Sequence, residues 1–426
     1  SAAIDMKIGS LIVRHSSLAY NRWDVATPHA RFSPDHVDLT DISAHIILNV
    51  LKRDTLSLNV KKLALKERSG LQLKALSFKL SANARGAVVK NLHIVLPHSE
   101  LSLGEMQATY SVANGKMLMP MLQFSGSIER SKLFLPDVAT LLPRAPEWNA
   151  PIQLSVAFSG TSTSLNVRSI NLETQGAKLF AKGWVNNWSA TPRWFADVRL
   201  MNVASPTIEK FTPANRNIEP LMRFGNIAFV GNVGGYGNDV AAKGHVRTNA
   251  GNANFVLGVH GKRFAGRLET QGLDLRKVLN NDSYGVLSTK IHIGGMLLDR
   301  GREIAINARG EVSQFTFNGY NYRNINIDAH TMLQGKFRPV SFNGMLSVDD
   351  PNGRIELKGN IFKNARSSFN LSVRRLNPGA LKLFDGYKGK VFGFDAAADF
   401  EGNNINDAIG NLNISNFNMT SPETIY

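Results

Sequence analysis

The 426-residue chain contains no cysteine. Disulfide bridges, cysteine-ligated metal sites and thiol nucleophiles are therefore excluded. Its longest apolar runs, such as 46–48 and 227–230, are far shorter than the roughly 20 residues that span a bilayer as a helix. No secretory signal stands at Ser1, and the chain starts without Met. We therefore expect it to be a segment of a longer or processed protein.

Blocks of like charge are also missing, although the net charge is +16, from 49 Lys and Arg against 33 Asp and Glu. This excess favours anionic partners such as phospholipid head groups or acidic protein surfaces. Basic residues come singly or in pairs, such as Lys61 and Lys62 or Arg374 and Arg375. Because no run of five or more exists, we expect no nucleic-acid partner.

Sequence motifs for catalysis are absent as well. The ten histidines are scattered, and none pairs with a carboxylate at a metal-ligand spacing on a predicted helix. The glycine-rich segment 231–237 resembles a phosphate loop, but 239–246 after it alternates like a strand, so we interpret it as a hairpin. The adjacent Asp349 and Asp350 are explained by turn chemistry. We expect no enzymatic activity, no cofactor and no metal.

What the chain does contain is a repeated hairpin, seen most clearly at 340–362. Apolar residues fall at every second position over 340–348 and again over 355–361, which is the period of a strand with one wet face. Between them, the segment 349–353 (DDPNG) supplies residues that reverse a chain. Similar cassettes stand at 92–103, 170–185 and 246–259. One hairpin, repeated, is the predicted plan of the protein.

A second recurring element is a short helix that follows a strand. Start signals of Ser, Asp, Asn or Pro precede apolar residues three or four apart at 136–142, 206–211, 274–279 and 378–384. We expect one- or two-turn helices at these places, which punctuate the sheet. Their spacing of roughly 70 to 100 residues is typical of elongated stacked architectures.

Together these patterns predict an all-β fold. Turns fall about every 8 to 12 residues, and we expect roughly 25 to 30 strands. Since open sheets rarely exceed about ten strands, this one is expected to be an elongated, curled antiparallel sheet with a few short helices. No linker divides the chain, so we predict one continuous segment over 1–426, with loose sub-repeats at 1–143, 144–211, 212–280, 281–384 and 385–426.

The unresolved question is what covers the apolar face of each strand. No long amphipathic helix is predicted to do so. The sheet can close on itself around a dry core, or its curved inner face can stay open as an apolar trough for a lipidic ligand. The charged outer face and the repetition favour the trough.

At this point the sequence resembles the bacterial AsmA-like superfamily, and most closely its TamB group of periplasmic bridge proteins. The resemblance is carried by the cassettes 172–185 (LETQGAKLFAKGWV) and 347–362 (SVDDPNGRIELKGNIF), the joint 372–384 (SVRRLNPGALKLF) and the segment 394–419. It implies a taco-shaped β-sheet with an apolar trough, an inner-membrane anchor and action between inner and outer membranes. This chain would be a middle segment, with the anchor before it and the contact to an outer-membrane barrel partner after it.

The leading hypothesis is therefore a non-enzymatic periplasmic segment that conducts phospholipid between the two membranes. The alternatives are a scaffold for assembly of outer-membrane β-barrel proteins and a structural β-solenoid without ligand. Acyl chains are expected against a set of predicted groove residues: Leu56, Leu58, Leu71, Leu73, Leu92, Ile94, Leu101, Leu103, Ile291, Ile293, Phe315, Phe317, Ile355, Leu357, Leu412 and Ile414.

Overall fold

The computed structural model describes residues 9–26, 31–52, 54–113, 116–142, 148–211, 218–298, 303–334, 338–363, 365–383, 387, 389–402 and 408–421. The chain is nearly all antiparallel sheet, with 72% of residues in strands and 6% in helices. This confirms the predicted all-β fold class. The chain divides into two compact units, Ser1–Ile218 and Glu219–Tyr426. The single continuous segment and its sub-repeat boundaries stay predictions.

The first unit contains fourteen described strands, three short helices and no long helix among its described residues. Each strand pairs antiparallel with its neighbour in the chain, except that β6 and β7 each pair with both β5 and β10, while β8 and β9 form a separate ribbon. The strands are β1 Leu11–Asn21, β2 His36–Lys52, β3 Thr55–Glu67, β4 Gln72–Asn83, β5 Gly86–Val95, β6 Glu100–Leu103, β7 Met106–Thr109, β8 Val112–Ala113, β9 Lys116–Met117, β10 Gln123–Leu133, β11 Ile152–Thr161, β12 Ser164–Thr174, β13 Ala177–Asn186 and β14 Arg193–Val203. The helices are 3₁₀ turns at Met119–Met121 and Leu135–Leu141, and α1 at Ser205–Phe211.

The second unit repeats this plan. Two short helices, α2 Glu219–Met222 and α3 Leu275–Leu279, accompany thirteen described strands that pair antiparallel in chain order. The strands are β15 Ile227–Tyr236, β16 Asp239–Thr248, β17 Gly251–His260, β18 Arg263–Asp274, β19 Tyr284–Leu298, β20 Glu303–Phe317, β21 Tyr320–Gln334, β22 Arg338–Pro339, β23 Ser341–Asp350, β24 Gly353–Phe362, β25 Ser367–Leu376, β26 Val391–Glu401 and β27 Ile409–Thr420.

The predicted hairpins form where the alternation placed them. In the cassette at 340–362, Val348 pairs with Ile355 and Leu346 with Leu357 across β23 and β24, so the apolar side chains of both arms share one face. The cassettes at 92–103, 170–185 and 246–259 become the pairs β5–β6, β12–β13 and β16–β17. The glycine-rich segment is the hairpin β15–β16, as predicted, and Gly237 turns it at φ +57°.

Of the four segments predicted as short helices after strands, which we call joints, three are helical. The 3₁₀ turn Leu135–Leu141, α1 and α3 occupy the first three predicted positions. In α3 the side chain of Asp274 caps the first turn by accepting from the backbone N–H of Arg276 at 3.1 Å. The fourth prediction, 378–384, is wrong as a helix: 378–383 form consecutive turns, which Lys382 ends at φ +55°, and Phe384 lies outside the described residues.

In each unit the sheet curls around its apolar face. Among the described residues no long helix or second sheet lies over it, yet Val373 in the second unit is only 2% exposed, and Ala181 in the first is 7% exposed. Same-face neighbours supply part of this shielding, as Ile355 and the joint residue Leu381 do beside Val373, and the sheet is consistent with a curled groove. In contrast, every residue of β27 is exposed. The curvature therefore makes a trough within each unit.

Candidate functional site: apolar ladders across the sheets

One apolar row crosses the second unit from β15 to β27 without interruption. We name it the central ladder, and its members are directly paired neighbours on twelve strands. They are Gly231, Gly244, Phe255, Leu268, Ile291, Gly310, Ile327, Leu346, Leu357, Leu371, Ala396 and Ile414. At about 4.8 Å per strand, the row follows roughly 50 Å of sheet. A hydrocarbon chain lying across the strands would meet only apolar side chains and glycine along this path.

A second row, which we call the parallel row, runs beside the central ladder, two residues away along each strand. Its members are Val233, Ala242, Leu257, Gly266, Ile293, Ala308, Ala329, Gly344, Gly359, Phe369, Ala398 and Leu412. The backbone explains some of its glycines. Gly344 and Gly359 face each other at φ +149° and +150°, a conformation that side chains rarely adopt. An added Cβ on Gly344 would stand 2.2 Å from the carbonyl oxygen of Asp328. These glycines therefore belong to the bend of the sheet.

The first unit carries an equivalent row from β5 to β14. Its members are Leu92, Leu103, Ile128, Val156, Ile170, Ala181 and Val198. All of them are half-buried or buried. A further row joins Leu48, Leu58, Leu80, Val89 and Met106 on β2 to β7. Both units thus present a continuous apolar surface across their strands.

The predicted groove residues fall on these faces. In the first unit Leu92 pairs directly with Leu103, and Ile94 with Leu101. Leu56 and Leu58 lie on β3, Leu73 lies on β4, and Leu71 stands just before β4; all are half-buried.

In the second unit, five of the predicted residues belong to the two rows, and a sixth lies on the same face. Ile291, Leu357 and Ile414 belong to the central ladder, and Ile293 and Leu412 to the parallel row. Ile355 continues the same face beside Val348 and Val373. Leu412 and Ile414 differ from the others because they lie on β27, where they are 64% and 54% exposed. Lipid contact by any of these residues stays a prediction.

Phe315 and Phe317 lie at one end of this face, in an aromatic cluster. Their rings are stacked at 6.1 Å, and Tyr284 stands 5.2 Å from Phe317. The cluster continues through Tyr322 to Tyr320, whose ring centroids are 4.8 Å apart. These aromatic rings close off the apolar face beside the joint at 378–383, where the Tyr322 hydroxyl donates to the Leu381 carbonyl at 3.0 Å.

Beta bulges keep the apolar residues on one face, and the sequence pattern did not reveal them. In β5, Val89 and Leu92 both face the trough although they are three residues apart, because Asn91 takes φ +54° between them. Asn416 in β27 takes φ +53° at another register shift, opposite Gly393 and Asp395. Asparagine is one of the few residues that tolerates this conformation. A lone Asn at a break in strict alternation is therefore the signal that could have located the bulges.

The recurring short segments and the recurring hairpins are parts of one arrangement. Each joint docks onto the turn of a hairpin that precedes it. In the first unit, the backbone N–H of Ala204, just before α1, donates to the carbonyl of Gly176 at 2.7 Å, and the Thr207 hydroxyl donates to the carbonyl of Gln175 at 3.3 Å. We call the edge of each sheet that carries these contacts the helical rim.

The same contact recurs in the second unit. The backbone N–H of Asp274, the cap of α3, donates to the carbonyl of Ala250 at 2.6 Å. Further along, the N–H of Asn377 donates to the carbonyl of Asn352 at 2.9 Å, and the side chain of Leu381, only 1% exposed, packs beside Gly353. The helical rim is therefore closed by repeated polar and apolar contacts.

The first joint of the chain docks through a carboxylate. Asp137, in the 3₁₀ turn Leu135–Leu141, accepts from the Ser99 hydroxyl and from the backbone N–H of His98, both at 2.8 Å. Burial raises the pKa of Asp137, but these hydrogen bonds lower it by more, so it lies below its usual range. The hydroxyl of Ser99 points at the carboxylate and not at the imidazole of His98. These contacts hold the 3₁₀ turn against the hairpin turn at 97–99.

The opposite face of each sheet is polar, and rows of its side chains enclose clefts. In the second unit a cleft of about 1170 Å³ is lined by charged and amide groups together with Met345 and members of the parallel row such as Ala308, and its Arg309 and Asp328 form an ion pair at 2.9 Å. In the first unit a cleft of about 500 Å³ has a different character. We name it the uncharged cleft, and its polar-face residues are Gln107, Thr109, Gln123, Ser125, Ser159, Thr161, Ser164, Asn166, Trp184 and Asn186.

Comparisons with known proteins identify no relative of the chain. No family model matches it, and neither the curated proteins nor the solved structures contain a match. Among the described residues, no helix combines the length and apolar character that a bilayer crossing requires. Within the same residues, no group of three His, Asp or Glu is placed to hold a metal ion.

Proposed function

We propose that the apolar faces conduct lipid: the acyl chains of phospholipids lie across the strands, against the ladders, within each unit. The single observation that supports this most is the central ladder, which offers an uninterrupted apolar path over twelve strands. The resemblance to periplasmic bridge proteins adds the proposal that the lipid moves between inner and outer membranes. An inner-membrane anchor and an outer-membrane barrel partner belong to the same proposal.

The energetics of the ladder suit transport better than storage. Each methylene that leaves water for an apolar surface gains about 0.8 kcal/mol, so a chain of a dozen carbons is held firmly in total. Neighbouring strands present side chains of similar size and polarity, so a chain that moves by one strand loses little of this energy. The same similarity leaves few groups that could discriminate one acyl chain from another.

A charged residue in the ladder tests the proposal. Leu357→Asp places a carboxylate in the middle of the path, and a lipid tail could lie there only if the carboxylate lost its hydrating water, which is costly. Asn360→Asp on the same strand introduces the same charge on the polar face and is the matched control. Phospholipid that co-purifies with each folded protein is measured by mass spectrometry. We expect Leu357→Asp to lose most of the bound lipid and Asn360→Asp to retain it.

Ile355→Asp and Leu92→Asp extend the test to the end of the face and to the first unit. Folding of each variant is checked by circular dichroism before lipid is counted. Equal lipid content in the Leu357→Asp and Asn360→Asp proteins, or no lipid in the unsubstituted protein, contradicts the proposal.

The exposed strand β27 supports a second candidate, a scaffold for β-barrel assembly. Among the described residues β27 pairs only with β26, and its Ile409 and Phe417 are 82% and 62% exposed. A free strand edge can accept another strand by backbone hydrogen bonds. Photo-crosslinking from Asn413 to a nascent barrel strand, without lipid in the purified protein, would favour this function over lipid transfer.

A further inference from the structure

The uncharged cleft is unusual for the surface on which it lies. The chain carries 49 basic and 33 acidic residues, and the polar face of the second unit places Arg309, Asp328 and Lys358 in its cleft. None of the residues that line the uncharged cleft is charged. Charges do stand beside it: Glu105 pairs with Lys90 at 2.9 Å and also accepts from the side-chain amide of Gln107, and Arg193 lies directly opposite Asn186 on the neighbouring strand. The lining itself therefore offers no charge to a ligand.

Sheet register builds the cleft from two parallel rows. One row runs through Gln107, Ser125, Ser159, Asn166 and Trp184, which are directly paired neighbours on five strands. The second row lies two residues along the strands and begins with Thr109 and Gln123. Because both rows are fixed by backbone pairing, the hydrogen-bonding groups stand at regular spacings of about 4.8 Å.

Most of these groups have no partner within the protein. Across the described residues, the side chains of Gln123, Ser125 and Asn166 form no hydrogen bond. Thr161 and Ser164 bond to each other at 2.7 Å. Amides and hydroxyls both donate and accept, so an unpaired row of them matches a ligand whose own groups do both. Sugar hydroxyls have this property.

An aromatic surface closes one end of the cleft. Trp184 is 37% exposed and stacks on Phe195, with ring centroids 6.3 Å apart and an angle of 26° between the rings. The stack holds the indole in place, so its outer surface is a fixed apolar plate beside the polar rows. The electron-rich face of an aromatic ring attracts C–H groups with partial positive charge, such as those on one face of a pyranose.

From these four observations we infer that the uncharged cleft is a binding site for a neutral oligosaccharide. A sugar ring stacks on Trp184, and the hydroxyls of the next units bond to the rows that lead away from it. The cleft volume of about 500 Å³ accommodates two or three sugar units at most. This site is on the polar face and does not depend on lipid binding by the apolar face.

Neutral trisaccharides test the inference directly. Chitotriose, cellotriose and maltotriose are titrated into the whole chain, and binding is followed by saturation-transfer NMR and calorimetry. At least one is expected to bind saturably, with an affinity that changes less than about twofold between low and high salt, because no charge lines the site. Trp184→Ala is expected to weaken that binding by about tenfold, as loss of an aromatic contact does.

Trp188→Ala is the matched control, since Trp188 lies in the turn after the same strand, is 42% exposed and is not part of the cleft. The Trp188→Ala protein should bind the trisaccharide as tightly as the unsubstituted protein does. Asn166→Ala supplies a second test if Trp184→Ala does not fold, and it should also weaken binding. Absence of saturable binding by all three sugars, or equal binding by the Trp184→Ala and Trp188→Ala proteins, overturns the inference.

Discussion

Asp350 shows how a single side chain adds contacts between the paired strands β21 and β23 of the second unit. It is 4% exposed and accepts hydrogen bonds from the Tyr320 hydroxyl, from the N–H of Arg323 at 3.1 Å and from the N–H of Asn352 at 2.9 Å. Burial raises the pKa of Tyr320, and Asp350 raises it further, so the phenol keeps its proton and donates. These bonds fix the turn between β23 and β24 to β21.

Replacing this carboxylate should destabilise the second unit. We expect Asp350→Ala to lower the free energy of unfolding by about 3 kcal/mol, because buried donors lose their charged acceptor. Asp349→Ala is the control, since the neighbouring Asp349 is exposed and forms only a surface ion pair with Arg354 at 2.9 Å. Urea denaturation measures both. A loss in Asp349→Ala as large as that in Asp350→Ala would contradict this role.

Asp137 makes the first unit sensitive to acid. Its pKa in the folded protein lies below the ordinary value of 3.8, since the hydrogen bonds from Ser99 and His98 outweigh the effect of burial. Its contribution is therefore complete above that ordinary value and is lost as the pH falls through the lower folded value. Chemical denaturation from pH 7 to pH 2 should show Asp137→Asn less stable than the unsubstituted protein above about pH 4, with the difference shrinking below.

Glu129→Gln, on the exposed polar face of β10, provides the comparison and should follow the unsubstituted protein throughout. A stability difference for Asp137→Asn that stays constant to pH 2 would show that the carboxylate does not act through its charge.

These residue-scale roles were out of reach of the sequence. The pair at 349–350 was interpreted as turn chemistry, and Asp350 does accept from Asn352 within the turn. Its bond to Tyr320, thirty residues away, depends on which strands become neighbours and in which register. Neither is encoded in local alternation.

At the scale of elements, the docking of each joint onto a turn is the contact that recurs. Leu381 is its most buried example, at 1% exposed, and it fills the space beside Gly353. We expect Leu381→Ala to cost about 3 kcal/mol, from lost burial and the cavity left behind. Leu383→Ala, at a position 43% exposed, should cost much less.

Hydrogen exchange at the turn between β23 and β24 separates a local effect from a global one. We expect amide exchange at this turn to be faster in the Leu381→Ala protein, and exchange elsewhere in the unit to change less. Unchanged exchange at that turn would show that the joint does not hold it.

Strands were predictable from the sequence, whereas their irregularities were not. Strict alternation around Leu346 and Leu357 predicted β23 and β24 because a period of two leaves one face wet. The joint at 378–383 failed as a helix because a single turn that contains Gly379 gains little from helical hydrogen bonds. The bulge at Asn91 was missed because one extra residue changes the parity only locally.

For the whole molecule, the apolar faces determine how stability responds to ligand. If lipid occupies the troughs, it binds the folded chain and not the unfolded one, and so raises the unfolding midpoint. Removing co-purified lipid by detergent exchange should lower that midpoint, and adding phospholipid should restore it. The Leu357→Asp protein should respond to neither step. An unsubstituted protein that is equally stable with and without lipid would argue for a purely structural sheet.

The sequence also indicated which residues share the apolar face, but not how they line up between strands. Ile291, Leu357 and Ile414 were all candidates, and only the pairing of the intervening strands places them in one row. Register follows from bulges and turn lengths, so local alternation alone does not define the path across the sheet.

The docking of joints onto nearby turns has a consequence for how such a chain can change in size. Each joint contacts a hairpin turn a few strands earlier in its own unit, and the joint at 378–383 also contacts Tyr322 and Gly319 in the hairpin before that one. A joint that is duplicated or deleted together with these neighbouring hairpins therefore keeps its contacts. Growth by such increments alters the distance a protein can bridge while leaving its cross-section the same.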